Sequence, residues 1–390
     1  MNILVLNCGS SSIKFALFKQ EERTASGLIE RIGGEDAIVN YEIASSAIKQ
    51  RNVTPVRSHE EGVKILIKEI LPQTGIDKIE AVGHRVVHGG SKYSSPVIVT
   101  EEVKKDIEDC IPLAPLHNPH HLAGIIAIEN FLPKVPNVVV FDTAFYQTLP
   151  PEAAIYPLPY KYYEKYKIKK YGFHGTSHYY LMLKTSEMLK KKPEELKIIT
   201  CHLGNGSSIT AIKYGKAIDT SMGFTPTAGV MMGTRSGDID PEVVTYLQVI
   251  EGLSPKEISI LLTKQSGLLG VSGISNDMRK IIETKNNNPR SELAFNIFCY
   301  TVKKYISSYL GILNGADVIT FSAGIGENSY PVREKILENM ENVGIIIDKR
   351  LNKNCVGKEG IISTKKSKVK ICVIKTDEEI MIANFTRKLL

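Results

Sequence analysis

Two stretches of the chain, NCGSSSIKFAL at 7–17 and HLGNGSSITAI at 202–212, follow one plan. Each leaves an apolar run, turns through glycine and serine, and resumes at Ser-Ser-Ile in a second apolar run. Such residues favour tight strand reversal, because they supply turn conformations without a bulky side chain. One turn of this kind says little. Two copies starting nearly two hundred residues apart predict a duplicated unit, and hence two related domains. A chain of 390 residues suits that division, since single cores rarely grow beyond ~250–300 residues.

Short apolar runs rich in β-branched residues recur at 3–6, 13–18, 81–87, 137–141, 197–201, 208–212, 317–321 and 369–374. Amphipathic stretches at 101–110, 178–191, 291–313 and 331–340 lie between several of them. This is the pattern of an α/β protein, with parallel strands and covering helices expected. The Pro- and Tyr-rich segment at 149–166 falls where a crossover between the two domains belongs.

Hydrophobic residues at 43% and charged residues at 23% exclude a disordered or collagen-like chain. The formal charge of +7 is spread over scattered lysines, which argues against a nucleic-acid partner and fits a small anionic ligand. Cys8, Cys110, Cys201, Cys299, Cys355 and Cys372 form no Cys-x-x-Cys pair, so neither a zinc ribbon nor a disulfide framework is expected, and a reduced cytoplasmic setting is. The chain enters an apolar run at Ile3 without a charged leader, and no run approaches the ~18 apolar residues of a membrane span; neither export nor a membrane partner is expected.

In the first hairpin, backbone N–H groups, serine hydroxyls and the point charge of Lys14 suit a phosphate, although the spacing is not that of a Walker loop. A plain turn with a snorkelling lysine is the alternative. HLGNGSS places His202 before Asn205 and its flanking glycines, and VITFSAGIGENSYPVREKI (318–336) runs from a strand through a Gly-x-Gly into a helix with Pro331 near its start. That order suits an anion or a nucleotide. In VGHRVVHGG (82–90), strand alternation puts Arg85 and Val87 on one face and His84, Val86 and His88 on the other. A guanidinium beside an apolar patch suits a small carboxylate with a short alkyl tail, with an internal ion pair as the alternative.

LHNPHH (116–121) brings His117, His120 and His121 together in a metal-like cluster, yet Asn118 as N-cap and Pro119 at the first helical position explain the composition equally well. Asp142 ends the run FDTAFYQ, Phe173 and His174 sit in YGFHGTSH before a helix, and Arg235 lies in the long irregular stretch GFTPTAGVMMGTRSGDIDP. In IKTDEEIMI, Thr376 and Glu379 predict a capping box. Glu378 is left for a metal or for the helix dipole.

Taken together, LNCGSSSIKF, GHRVVHGG, FDTAFY, YGFHGTSH, HLGNGSS, GFTPTAGVMMGTRSGDIDP and SAGIGENS closely resemble the acetate kinase family, across essentially the whole chain. Propionate kinases look similar. The resemblance implies two duplicated ribonuclease-H-like domains of the actin-like ATPase superfold with a nucleotide cleft. The first would span 1–147, completed by a C-terminal helix at about 380–390, and the second, for nucleotide binding and dimerisation, 148–379. It implies the reaction ATP + acetate ⇌ ADP + acetyl phosphate with Mg²⁺ or Mn²⁺, a cytoplasmic homodimer, and a metabolic link to a phosphate acetyltransferase.

Carried onto matching positions, Asn7 and Glu378 would be associated with the metal, and Ser12 and Lys14 with phosphate. His202, Leu203, Gly204, Asn205 and Gly206, then Asp277, Met278 and Arg279, then Gly324, Ile325, Gly326, Glu327 and Asn328 would line the nucleotide site. Arg85 would hold the acetate carboxylate; Val87, Leu116, Phe173 and Pro226 would surround its methyl group. His174 and Arg235 would stabilise the transition state, and Asp142 would be the catalytic carboxylate. A carboxylate acceptor, with a pKa of ~4–5, is already ionised at pH 7 and needs no general base. A sugar kinase of the same fold would need one, and an ATP-driven switch would need neither arginine.

Overall fold

The computed structural model describes residues 1–46 and 48–390. The first Gly-Ser turn joins strands β1 (Asn2–Gly9) and β2 (Ser12–Lys19), paired antiparallel with Gly9 opposite Ser12 and Asn7 opposite Lys14. Strands β3 (Glu22–Glu30), β4 (Gly34–Ile43) and β5 (Ile48–Val56) extend the sheet antiparallel beyond β2. On the other side of β1, β6 (Ala81–Val86) pairs with it in parallel, β8 (Asn137–Phe141) pairs in parallel with β6, and β7 (Val97–Ile98) closes the edge antiparallel. The expectation of a mainly parallel sheet therefore holds for only part of it. A loop of two to four residues cannot reach back to the other end of a neighbouring strand, so each hairpin forces an antiparallel neighbour.

The two faces of β1 and β6 pack against different helices, as strand alternation requires. Leu4, Leu6 and Val82 meet Ala127 and Ile128 of the Asn118–Phe131 helix, whereas Ile3, Val5, Ala81 and Val140 meet Ile382 and Ala383 of the Glu378–Leu389 helix. Gly83 shows how close the second helix lies: a Cβ there would be 2.6 Å from Thr386 Oγ1 and 2.7 Å from Ile382 Cγ2. Each large aliphatic side chain so buried contributes about 1.5–3 kcal/mol.

Two local readings are corrected. Asn118 is the first residue of its helix rather than the N-cap, and its buried side chain is spent elsewhere. Its Nδ2 donates to the carbonyls of His88 (2.9 Å) and Ile107 (3.1 Å), and its Oδ1 accepts from His88 N (3.2 Å). The last helix is capped by Asp377, whose Oδ1 accepts from Ile380 N at 3.0 Å, and not by a Thr376–Glu379 box. Thr376 Oγ1 instead lies 2.8 Å from Ser177 Oγ, while Glu379 pairs with Lys14. The helix starts one residue later than a box on Thr376 requires.

Residues 1–147 and 377–390 form one compact unit and 148–376 the other. In the second, β9 (Lys197–Leu203) and β10 (Ser207–Lys213) form the second Gly-Ser hairpin with Leu203 opposite Ser207, and β11 (Lys216–Thr220) follows antiparallel. Strand β12 (Val318–Ser322) pairs in parallel with β9, β14 (Lys370–Val373) in parallel with β12, and β13 (Gly360–Ile361) closes the edge. The orders β3-β2-β1-β6-β8 and β11-β10-β9-β12-β14 repeat one topology: three antiparallel strands followed by two parallel ones. Both units are ribonuclease-H-like. Phe298, Val302 and Ile306 of the Pro289–Ile312 helix share a core with Ile199 and Ile209 of the sheet. No helix of the described residues is long and apolar enough to cross a membrane, and all six cysteines are free thiols.

His84 is buried on β6 and its Nε2 donates to Asn137 Oδ1 at 2.7 Å. Burial pushes its pKa down to about 4, with the hydrogen bond opposing more weakly. The native imidazole stays neutral while that of the unfolded chain protonates below ~6.5, so stability falls as pH drops from ~6.5 toward 4, by up to about 1.4 kcal/mol per pH unit. Urea unfolding at pH 7.5, 6.5 and 5.5 should show a slope of this sign, and His84→Gln, which keeps a donor for Asn137 without titrating, should reduce it by one histidine's share, leaving that of the buried His121 and His178. Equal slopes would contradict the assignment.

Candidate functional site

In the first unit the ends of two adjacent parallel strands bring the charged groups together. Arg85 is the penultimate residue of β6, Asp142 follows β8 directly, and Asp142 N donates to Val86 O at 2.9 Å. Arg85 Nε and Nη2 donate to the two carboxylate oxygens of the buried Asp142 at 3.1 and 2.6 Å, a bidentate fork. Glu378, first residue of the last helix, places Oε2 3.6 Å from Arg85 Nε. Burial alone would lower the Arg85 pKa, but Asp142, Glu378 and Glu379 outweigh it and keep the guanidinium charged. Burial, with the like charges of Asp142 and Glu379, raises the Glu378 carboxyl above its usual range while Arg85 pulls against it.

The remaining first-unit candidates divide. Val87 is buried directly beyond β6, whereas Leu116 is 48% exposed. Asn7 and Ser12 are half-buried on the first hairpin. Lys14 forms an ion pair with Glu379, which also lies 3.8 Å from Arg23. Burial would raise the Glu379 carboxyl, but Lys14 holds it below its usual range.

In the second unit His174 stands immediately before the Gly175–Leu189 helix with a left-handed φ of 58°. Its Nδ1 lies 2.8 Å from Ser208 Oγ, and its ring stacks on His202 with centroids 4.3 Å apart. Arg235 reaches the same place: a Cβ at Gly206 would lie 3.4 Å from both Arg235 Nη1 and His174 Cε1. Arg235 Nη1 also donates to Pro226 O at 3.1 Å, tying together two parts of the irregular 221–241 stretch. Phe173 is buried beside His174.

Beneath His174 lies a set of groups of which the sequence marked only His202. His178 Nε2 is 2.7 Å from Ser208 Oγ and its Nδ1 2.6 Å from Thr200 Oγ1, while His202 Nδ1 is 2.8 Å from Ser177 Oγ. Burial, helped by His202, lowers the His178 pKa well below its usual value, so this support is neutral. The four-residue spacing of His174 and His178, one helical turn apart, is the signal for this pairing.

The three remaining segments meet at a cavity of about 810 Å³. Gly204 and Asn205 come from the second hairpin, Asp277, Met278 and Arg279 from a helix start, and Gly324, Ile325 and Asn328 from the short Ala323–Asn328 helix after β12. Asn205 is pinned on both sides: its Oδ1 accepts from Asn276 Nδ2 at 3.0 Å and its carbonyl from Gly233 N at 2.9 Å. Asp277 caps the Met278–Thr284 helix and pairs with the exposed Arg279. Gly326 is buried beneath the wall, and Glu327 turns inward as a staple, accepting from Ala323 N (2.8 Å) and Thr376 N (3.0 Å). Ile282, Tyr330 and Val356 also line the cavity and were not anticipated; apolar residues in helices and loops carry no local signature of a binding wall.

Arg85 and Asp142 form the buried pair of the first unit, and removing one partner leaves the other charge without its strongest counter-ion. Asp142→Ala should therefore destabilise the protein by about 3 kcal/mol in urea unfolding. An unchanged unfolding midpoint would show that the pair holds nothing.

The chain matches the acetokinase family over residues 2–384. It is 51% identical to the acetate kinase of Caldicellulosiruptor saccharolyticus, over all of both chains, and 51% identical to that of Thermoanaerobacter pseudethanolicus, over all of this chain and 99% of the relative. Among solved structures it matches Porphyromonas gingivalis acetate kinase with a TM-score of 0.93, 45% identity, and coverage of 100% of this chain and 99% of that one. It matches a propionate kinase from Francisella tularensis with a TM-score of 0.94 and 42% identity over all of both chains. With the duplicated topology and the full-length identity both in hand, this chain belongs to the acetokinase family.

Proposed function

We propose that this enzyme catalyses reversible transfer of the γ-phosphoryl group of ATP to acetate, giving acetyl phosphate and ADP in one in-line step. The observation that carries the reading is the Arg85–Asp142 fork beside Val87. Asp142 engages Nε and one N–H of Nη2, so the Nη1 edge of the guanidinium is left to receive a carboxylate. The role assigned to Asp142 is orientation of Arg85. An acetate ion has no proton to give up at neutral pH, so proton abstraction is not required.

Transfer between two anions needs neutralisation of phosphoryl charge more than covalent help. His174 and Arg235, meeting at Gly206, are the groups assigned to it, and the second-unit cavity is assigned to the nucleotide. Asn7 and Glu378 fit a hard divalent cation, because both offer oxygen and Glu378 stands among Asp142 and Glu379. Magnesium uses only one or two protein carboxylates beside phosphate oxygens, and among the described residues no group of three or more His, Cys, Asp or Glu is arranged around a metal. Bound there, the ion would neutralise phosphate charge. Six free thiols fit a reduced cytoplasm.

A homodimer is supported by the Glu242–Glu251 helix, where Val243, Tyr246, Val249 and Ile250 are all exposed, Val249 at 74%. An apolar stripe of this kind on a soluble chain marks an interface. Val249→Glu should shift the sedimentation coefficient from dimer to monomer at micromolar concentration; a wild-type monomer under the same conditions would refute the assignment.

Incubation with ATP, Mg²⁺, acetate and hydroxylamine should yield acyl hydroxamate. Arg85→Lys, which loses the guanidinium fork, should raise the KM for acetate at least tenfold, the worth of a charged hydrogen bond, and leave the KM for ATP within twofold. Absence of acyl phosphate with acetate, propionate and butyrate alike would overturn the function. The likeness to a propionate kinase keeps propionate in the test as a second acceptor, and the ratio of kcat/KM for the two acids decides between them.

A further inference from the structure

Arg333 is among the largest fully buried side chains of the protein, and its nearest hydrogen-bonding groups are all neutral oxygens. It lies in the Tyr330–Leu337 helix, where sequence periodicity gives no reason for an arginine on the inward face. Its guanidinium spans two separate segments. Nη1 donates to the carbonyls of Gly326 (2.7 Å) and Glu327 (3.0 Å), near the end of the short Ala323–Asn328 helix after β12. Nε donates to Asn352 Oδ1 (2.8 Å), and Nη2 to the carbonyls of Asn352 (3.0 Å) and Cys355 (2.7 Å), at the end of the Lys349–Asn354 helix. The flanking residues of both segments, Ile325 and Asn328 on one and Val356 on the other, line the cavity assigned above to the nucleotide.

A buried cation is costly, and five neutral acceptors offset that cost only if all are held in place. A guanidinium offers five N–H donors in a rigid plane, so it can fix the separation of two backbone segments, which an ammonium on a flexible stem cannot. Apart from this fork, the walls are joined by a long contact from Gly357 N to Glu327 O at 3.4 Å. Asn352 extends the brace by donating from Nδ2 to Tyr330 O at 3.0 Å. Tyr330 itself lines the cavity.

We propose that Arg333 is a positioning residue for the nucleotide site, a brace that sets the spacing of the Ile325–Asn328 and Val356 walls without touching the ligand. The inference rests on the reading of that cavity as the nucleotide site. It predicts a selective effect on one substrate, because the acetate-holding Arg85 belongs to the other unit.

The experiment uses the full-length enzyme carrying Arg333→Lys or, independently, Asn352→Ala, which removes one acceptor and keeps the arginine. For each, the KM for ATP, the KM for acetate, kcat, the unfolding midpoint and equilibrium binding of a fluorescent ADP analogue are measured. The expected result is at least a tenfold rise in the KM for ATP with Arg333→Lys and a smaller rise with Asn352→Ala. The KM for acetate should stay within twofold and kcat within about threefold. An unchanged KM for ATP in a folded variant overturns the proposal, as does a parallel rise in both KM values, which would mark a general structural role. Should Arg333→Lys not fold, Asn352→Ala decides by the same two criteria. Failure of the wild-type enzyme to bind the ADP analogue would instead overturn the reading of the cavity.

Discussion

The fork between Arg85 and Asp142 is the buried charge pair on which the proposed acceptor site is built. Parallel strands end side by side at the same edge of a sheet, so β6 and β8 deliver an arginine and an aspartate to one place without any loop having to fold back. Burial raises the cost of either charge alone and so makes the pairing obligatory. It also fixes the plane of the guanidinium, which is what recognition of a planar carboxylate requires.

The second unit is built differently, with glycine-rich segments and the exposed Asp277–Arg279 pair around its cavity in place of a buried charge pair. Its hairpin, helix start and short post-strand helix bring Gly204, Asn205, Gly324 and Asn328 to the cavity, and the neutral His178 and Ser208 support His174 from below. A polyanionic donor is accommodated by many modest dipoles more readily than by a few buried cations, because backbone N–H groups are already oriented and need no desolvated counter-charge. The one deeply buried cation in this wall, Arg333, turns its donors inward to carbonyls.

Much of this arrangement was legible in residue order, and the misses have physical causes. The two Gly-Ser turns revealed the duplication because a tight reversal demands special residues whatever surrounds it. Strands β3 to β5 escaped notice because they lack continuous apolar runs: β3 and β4 bury only alternate residues such as Ala25, Ile29, Val39 and Tyr41, and in β5 every residue from Lys49 to Val53 is exposed. Asn118 and Thr376 were misread because capping is a matter of one residue of register, and tertiary partners, His88 for one and Ser177 for the other, claimed those side chains. Arg235, in a stretch without regular structure, could be noticed but not positioned; its meeting with His174 at Gly206 depends on contacts that no local pattern encodes. Family likeness suggested the site residues, and the fold brings Arg85 to Asp142 and Arg235 to His174.

The central claim is that an ionised carboxylate, oriented by Arg85, attacks phosphorus directly, with no enzyme group carrying the phosphoryl in between. Stereochemistry at phosphorus tests this most directly. With ATP made chiral at the γ-position by oxygen isotopes, a single in-line displacement predicts inversion of configuration in the acetyl phosphate formed. Retention would mean two displacements through a phosphorylated side chain, and would contradict the account.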